Sequence, residues 1–402
     1  MNDIPRPEAL VTAPAAGALP RFASIEDLIA RTRPTLPVYC LFPERFAAAA
    51  ARFTDFPGDA LYAVKANPAP QVLEQVYAAG TRHFDTASLA EIELVRGRFP
   101  DAACHFMAPV RIAGAARSAF HEHGVTDYVV DCDFELDKLL AETDCGKGLR
   151  IFVRLSTPLG GALLELSSKF GTTPEDGARL LKRVAEASAT PGITFHVGSQ
   201  CLSPFSYAQA IEMARRTEEL AGITADALDI GGGFPGPYHN NDVPPYGRYF
   251  DTIREAVATL PNKPKLLCEP GRALIAEGVS LVTQVVLRKD DKLYLNDGIY
   301  GSFDELTLPG WTADYPLRVF RLDENGQAIL RAEGNLQSGG HSPFRVYGPT
   351  CDTLDVLPRP LKLPDDTRAG DYIVVDAIGA YSVALRTDFN GFYPDSWAVI
   401  GN

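Results

Sequence analysis

Residues 61–85 read LYAVKANPAPQVLEQVYAAGTRHFD: a short apolar and aromatic run, a segment whose apolar residues recur at helical spacing and end on glycine, then a second short run. Strand, helix, strand in that order predicts a parallel pair joined by a crossover helix. The unit repeats along the chain. LYAVK (61–65), RHFD (82–85), ACHFM (103–107), DYVVD (127–131), RIFVR (150–154), ITFHV (193–197), ALDIG (227–231) and KLLCE (265–269) alternate with helical patterns such as SLAEIELVRG (88–97), EDGARLLKRVAEA (175–187) and YAQAIEMARRTEELAG (207–222). Eight strand-helix units between residues 61 and 269 predict a closed (β/α)8 barrel.

After Gly271 the texture changes. VSLVTQVVLRKDDKLYLNDG (279–298), LRVFRLDENGQAILRAEG (317–334) and DYIVVDAIGAYSVAL (371–385) are β-branched runs broken by turn signals, which predicts a C-terminal antiparallel β-barrel or β-sandwich domain. PVYCLF (37–42) also reads as a strand, ahead of the helix-like ERFAAAAARF (44–53), so the chain is expected to begin in the β domain before entering the barrel. The expected organisation is a loose tail over 1–22, a segment over 23–43 joining the β domain, the barrel over 44–275 and the β domain over 276–402.

The chain has 402 residues, 46% of them hydrophobic, enough to bury substantial cores. A formal net charge of −13, with no basic stripe, argues against nucleic acid and against anionic lipid as partners. Seven cysteines at 40, 104, 132, 145, 201, 268 and 351 show no CxxC spacing. Neither a disulfide framework nor a zinc site is indicated, no metal is expected, and a reducing cytoplasm fits best. The first twenty residues are interrupted by prolines and carry Asp3 and Glu8, unlike a signal peptide, and no window is long and apolar enough for a membrane span.

In such barrels chemistry gathers at the C-terminal ends of the strands. There stand Lys65, Asp85, Asp131, Arg154, His196, Gly231, Gly232, Gly233 and Glu269. Lys65 ends a run whose apolar neighbours favour the neutral amine that attacks an aldehyde; the plainer reading is a strand-end lysine paired with Asp85. Three glycines after a strand let backbone N–H groups converge on an anion such as phosphate, or simply make a turn. Glu269 and Arg272 flank a Pro-Gly turn, as a functional acid and base or as a salt-bridged turn. His196 is an aromatic plate or a core histidine. Ser88 and Glu91 match a capping box, which accounts for Glu91 structurally. Cys351 lies beside Asp352 and near Asp355, where a thiol could give a proton and carboxylates could hold an ammonium; a buried, inert cysteine is the commoner case.

The ordered set YAVKAN (62–67), FDTAS (84–88), HVGSQ (196–200), LDIGGGFPG (228–236), EPGR (269–272), YGPTCDTLD (347–355), GAY (379–381) and FNGF (389–392) resembles the fold-type III pyridoxal-phosphate-dependent decarboxylases, and among them the ornithine/lysine branch. The resemblance runs from about residue 37 to 393 and implies a barrel joined to an alanine racemase-like β domain. It implies that Lys65 carries pyridoxal phosphate, His196 stacks on its ring, and Glu269 pairs with the ring nitrogen. Ser199, Gly231 to Gly233, Arg272 and Tyr381 would hold the phosphate, with Asp85, Glu91 and Arg154 lining the cofactor region. Across a head-to-tail homodimer, Cys351 would serve protonation and Asp352 the distal amine, with Tyr300, Asp355, Phe389 and Asn390 in the shared pocket. The implied activity is a carboxy-lyase converting L-ornithine to putrescine, or L-lysine to cadaverine, in polyamine synthesis; diaminopimelate or arginine decarboxylation and a non-catalytic regulatory role are the alternatives. One departure stands out: Leu308 and Pro309 occupy the place of a Tyr-Asp pair that helps bind the distal amine in eukaryotic-type enzymes, which leaves Asp304, Glu305 or Asp314 as candidate replacements.

Overall fold

The computed structural model describes residues 19–401 apart from 158–159, 167 and 335–339. Residues 1–18 of the expected tail therefore lie outside the described residues. The chain divides into two compact units, one formed by Ala47–Gly236 with Asp242–Leu274, the other by the residues up to Phe46 with Pro237–Asn241 and Ile275 onward. The short insertion at Pro237–Asn241 had no signal in the sequence.

The first unit is a closed barrel of eight parallel strands: β1 Asp59–Ala63, β2 His83–Thr86, β3 Ala103–Phe106, β4 Asp127–Val130, β5 Arg150–Leu155, β6 Thr190–Phe195, β7 Ala227–Asp229 and β8 Lys265–Cys268. These are the eight runs read from the sequence. Their boundaries shift by one to three residues, most consequentially at Lys65. LYAVK was expected to be strand through Lys65, but β1 stops at Ala63 and Val64–Ala66 form a 3-10 turn. The neighbouring strand β8 ends just before Pro270, and the Ala63 N–H reaches the Pro270 carbonyl at 3.3 Å as the chain leaves the sheet.

Alternation along the strands sorts the barrel interior into layers. Leu61, Met107, Val129, Phe152, Ala227 and Leu267 form one buried apolar cluster in the middle. Gly192 belongs here for lack of a side chain, since a Cβ would lie 2.6 Å from the Phe152 ring. Two residues earlier on their strands come Asp59, His105, Asp127, Arg150 and Lys265, which with His83 make a polar floor. Two residues later come Asp131, Arg154, Asp229 and Glu269 at the mouth.

The second unit is built on a ten-stranded sheet. Val38–Leu41, the PVYCLF run, pairs antiparallel with Val279–Lys289 of this unit. The sheet is mixed and not purely antiparallel: Arg21–Phe22 and Val38–Leu41 both run parallel to Ser396–Ile400, and Lys292–Leu295 runs parallel to His341–Tyr347. Strands drawn from opposite ends of the chain are free of the hairpin turns that enforce antiparallel pairing. The expected tail thus ends in structure, because Arg21 and Phe22 are bonded strand residues. The run 371–385 yields a strand only at Tyr372–Val375; Ala377, with φ 56°, takes the chain out of extended conformation. Helix Ile25–Thr32, capped by Ser24 Oγ accepting the Asp27 N–H at 3.2 Å, lays Ile25, Leu28 and Ile29 on a core with Phe22, Val38, Val282, Phe320 and Val374. Among the described residues no helix is long and apolar enough to cross a membrane.

Candidate active site

Lys65 sits in the turn beyond β1, where its Nζ donates to Asp85 Oδ2 at 3.0 Å. The carboxylate is buried while the lysine side chain is 41% exposed, so the amine is anchored yet reachable. The plain reading of a paired lysine is therefore correct as geometry, and it is the geometry that presents an amine at the barrel mouth. Half of the capping box forms: Ser88 Oγ accepts the Glu91 N–H at 3.2 Å, while Glu91 Oε2 accepts the N–H of Ala87, one residue before the cap, at 2.7 Å.

His196 follows β6, half-buried, with Nδ1 accepting the Gly198 N–H at 3.0 Å. Burial, followed by the positive charges of Lys65 and Arg154, holds its pKa well below the usual histidine value, so the ring is neutral. Arg154, on β5, lies over the Phe170 ring at 5.4 Å. The triple glycine is required by the backbone. Gly231 and Gly233 have φ of 65° and 102°, and a Cβ would meet the Phe195 carbonyl at 2.1 Å in the first and the Gly198 carbonyl at 2.5 Å in the second. At Gly232 a Cβ would lie 2.9 Å from His196 Nε2. Arg272, buried just past β8, donates to Ser199 Oγ at 3.3 Å. Asp131 accepts the Gly171 N–H at 3.0 Å and fastens the loop beyond β5.

Glu269 is buried immediately after β8 and is hydrogen-bonded to the carboxyl of Asp229, the last residue of β7. Burial first, then the charges of Asp229 and Asp85, push Glu269 well above the usual carboxylate range. Asp229, also raised by burial, is held by the Gly231 N–H at 2.9 Å and the Thr194 hydroxyl at 3.0 Å. Asp229 and Thr194 were missed in the sequence. The signal for Asp229 was available: it stands two residues after inward-facing Ala227 and two before the first of the glycines.

On the second unit a separate cluster forms. Asp352 Oδ2 accepts the Tyr300 hydroxyl at 2.5 Å and Oδ1 accepts the Leu354 N–H at 2.9 Å. Those two donors, the backbone N–H first, hold the Asp352 carboxyl below the usual range, and the same bond raises the Tyr300 phenol. Tyr300 packs against Phe389 with ring centroids 4.7 Å apart, and the Cys351 N–H donates to Asn390 Oδ1 at 3.1 Å. Cys351 is exposed, not a buried inert thiol. The structure thus gathers Tyr300, Cys351, Asp352, Phe389 and Asn390. Asp355 does not join them as a ligand. It is buried, with Oδ1 accepting the Ile299 N–H at 3.0 Å and Oδ2 accepting the Thr350 hydroxyl at 2.7 Å, and it bolts the turn of Tyr300 to that of Cys351. Of the acids considered for the distal amine, buried Glu305 accepts the Tyr315 hydroxyl at 2.7 Å and Asp314 pairs with Arg359 at 3.0 Å. Asp304 is half-buried. Tyr381 belongs to this unit, in left-handed backbone conformation with φ 56°.

Residues 42–276 match the pyridoxal binding domain of the pyridoxal-dependent decarboxylases. A lysine/ornithine decarboxylase from Selenomonas ruminantium is 34% identical over 342 residues, spanning 83% of this chain and 81% of its own length. An ornithine decarboxylase from Schizosaccharomyces pombe is 32% identical over 344 residues, spanning 82% of this chain and 75% of its own. The crystal structure of a lysine/ornithine decarboxylase from Vibrio vulnificus complexed with putrescine is similar with a TM-score of 0.76 at 30% identity, over 94% of this chain and 96% of that one.

Proposed function

The chain belongs to the pyridoxal-dependent decarboxylases, and we propose that it removes the α-carboxylate of a basic L-amino acid, L-ornithine or L-lysine, in a homodimer with shared active sites. The observation that carries the substrate class is Asp352. It is an ionised carboxylate, fixed by the Tyr300 hydroxyl and the Leu354 N–H, with no cationic partner among the described residues, and a distal ammonium is the group it would hold.

The donor set of the barrel mouth fits pyridoxal phosphate. A reachable lysine amine suits its aldehyde; a hydroxyl, a buried guanidinium and glycine N–H groups suit its phosphate; a buried acid pair suits a cationic ring nitrogen. When bound, pyridoxal phosphate supplies an electron sink for the pair released as the bond from Cα to the carboxylate breaks. The chain's residues do the rest. Lys65 would hold the cofactor through its Nζ. Neutral His196 backs the ring without adding charge. Glu269 would hold the ring nitrogen, and Ser199, Arg272 and the glycines would hold the phosphate, with Asp85 and Arg154 in the cofactor region. With the cofactor anchored by its phosphate and the substrate by its distal amine, these residues would restrict how the α-carboxylate is presented, which selects decarboxylation. Cys351 Sγ returns a proton to Cα.

The homodimer is supported by the setting of the Asp352 cluster. Leu354, two residues from Asp352, is 68% exposed, and Phe389, which packs on Tyr300, is exposed with Phe392 and Tyr393 just beyond it in the chain; such apolar side chains suit burial against a second copy whose barrel mouth Cys351 and Asp352 would complete. The products would be putrescine or cadaverine, in polyamine synthesis. Seven free thiols suit the reducing cytoplasm.

Carbon dioxide release by the full-length protein with pyridoxal phosphate, offered L-ornithine, L-lysine, L-arginine and meso-diaminopimelate separately, tests the reading. Release from ornithine or lysine supports it; preference for arginine or diaminopimelate, or silence on all four, overturns it. The ratio of the first two rates ranks the pocket, where one methylene is worth only about 1 to 3 kcal/mol.

A further inference from the structure

We propose, resting on the cofactor reading above, that Asp229 is a positioning residue: it holds Glu269 and one shared proton in a carboxyl–carboxylate pair, which forms a receptor for one cationic ring nitrogen. Backbone geometry fixes the pair. Asp229 is in register with Leu267 on β8, the Ile230 N–H donates to the Leu267 carbonyl at 3.0 Å, and the Glu269 N–H donates to the Gly231 carbonyl at 2.9 Å. In strand register Glu269 stands two residues beyond the partner of Asp229, and the two side chains meet in a hydrogen bond; both are buried, Asp229 fully and Glu269 with 7% exposure. The Gly231 N–H and the Thr194 hydroxyl supply donors to the two oxygens of Asp229.

Two buried carboxylates within hydrogen-bonding distance cannot both be ionised. The negative charge rests on Asp229, which has two donors, and the proton rests on Glu269, which donates it to Asp229. The neighbours leave that arrangement intact. Lys65 and Asp85 face the pair from the turn after β1 and from β2, already bound to one another. Cys268, on β8, is pushed well up by burial and by the two acids, and His196, beside Gly232, is neutral. The pair carries one negative charge and one proton, the complement of a single ring N–H⁺. As that cation meets Glu269, the proton of the pair passes from Glu269 to Asp229. One O–H bond breaks, one forms, and none is exchanged with solvent.

Stability gives a direct test. In the unfolded chain both acids titrate near about 4, whereas the folded chain keeps one proton far above that. The folded state then binds one proton more than the unfolded state through neutral pH. The stability is fully present below the unfolded pKa and is lost as pH rises toward the folded one.

The experiment is equilibrium urea unfolding of the cofactor-free, full-length protein between pH 5.5 and 8.5, for wild type, Asp229→Asn and Glu269→Gln, then with saturating pyridoxal phosphate. Relative to either variant, the wild-type unfolding equilibrium should rise about tenfold per pH unit, the slope of one proton. Bound cofactor should leave that slope in place in the wild type, because the pair keeps its proton. A destabilisation by Asp229→Asn that is equal at every pH would make the residue merely structural and overturn the proposal. If Asp229→Asn does not fold, the same comparison with Glu269→Gln decides between the two outcomes. A wild type that shows the slope but binds no pyridoxal phosphate would sink the cofactor reading and leave the acid pair standing.

Discussion

Two polar layers close the barrel, and they differ in how their charges are matched. On the floor Asp59 pairs with Lys265 at 2.7 Å, His83 Nδ1 meets His105 Nε2 at 3.0 Å, His105 Nδ1 meets Asp127 Oδ2 at 2.6 Å, and Arg150 Nε reaches Asp127 Oδ1 at 3.1 Å. Burial alone would raise Asp127, but His105 and Arg150 outweigh it and hold the carboxyl below its usual range. Each acid there has a base. At the mouth, Lys65 answers Asp85, but Asp229 and Glu269 are bonded to each other with no base paired to either among the described residues. A layer whose charges cancel within the protein stabilises the fold. A layer left with two adjacent acids, a reachable amine and a glycine turn is complete only with something else in it.

That contrast predicts opposite consequences for removing charge at the two ends. Lys65→Ala should cost turnover on the order of 10⁴-fold and abolish the visible absorbance of bound cofactor, while the urea midpoint of the cofactor-free protein stays within error of wild type. Retained absorbance would remove Lys65 from its role. On the floor, Asp127→Asn should cost about 3 kcal/mol of stability, the usual penalty for breaking a buried ion pair, with unchanged affinity for pyridoxal phosphate in a fluorescence titration. A loss of affinity without a loss of stability would erase the distinction between the layers.

Asp352 extends the comparison to the second unit, since it too is an acid without a base among the described residues. Asp352→Asn should raise KM for the diamino acid roughly 10- to 100-fold while sparing kcat far more, read from initial rates. An equal fall in kcat and kcat/KM would assign Asp352 to the chemical step. The smallest effect belongs to His83. Burial first, then the charge of His105, depress its pKa, so the folded state resists its protonation. Its contribution is present above the unfolded value of about 6.5 and lost as pH falls below it. Solvent at this half-buried ring keeps the effect under about 1 kcal/mol. His83→Asn should flatten the stability profile between pH 5 and 6.5 in urea titrations; an unchanged profile would assign the acid sensitivity elsewhere.

The barrel was legible because each of its strands is a compact apolar run and each crossover helix carries its own period, so local patterns suffice. Lys65, His196 and the glycines were legible for the same reason, standing where strands end. The mixed pairing of the second unit was not, because the partners of Val38–Leu41 lie hundreds of residues away and no turn chemistry links them. Asp355 looked like a ligand because it is an acid near Asp352. Only the structure reveals the Thr350 and Ile299 donors that occupy it. Asp229 was hidden by the nearby glycines, whose phosphate-cradle pattern drew attention two residues too far.

Everything at the barrel mouth turns on Lys65 being the amine that holds the cofactor. Borohydride reduction of the protein bound to pyridoxal phosphate, followed by mass mapping of its peptides, tests this directly. One phosphopyridoxyl adduct is expected, on Lys65. An adduct on another lysine, or none on a protein that still releases carbon dioxide from L-ornithine or L-lysine, would contradict it.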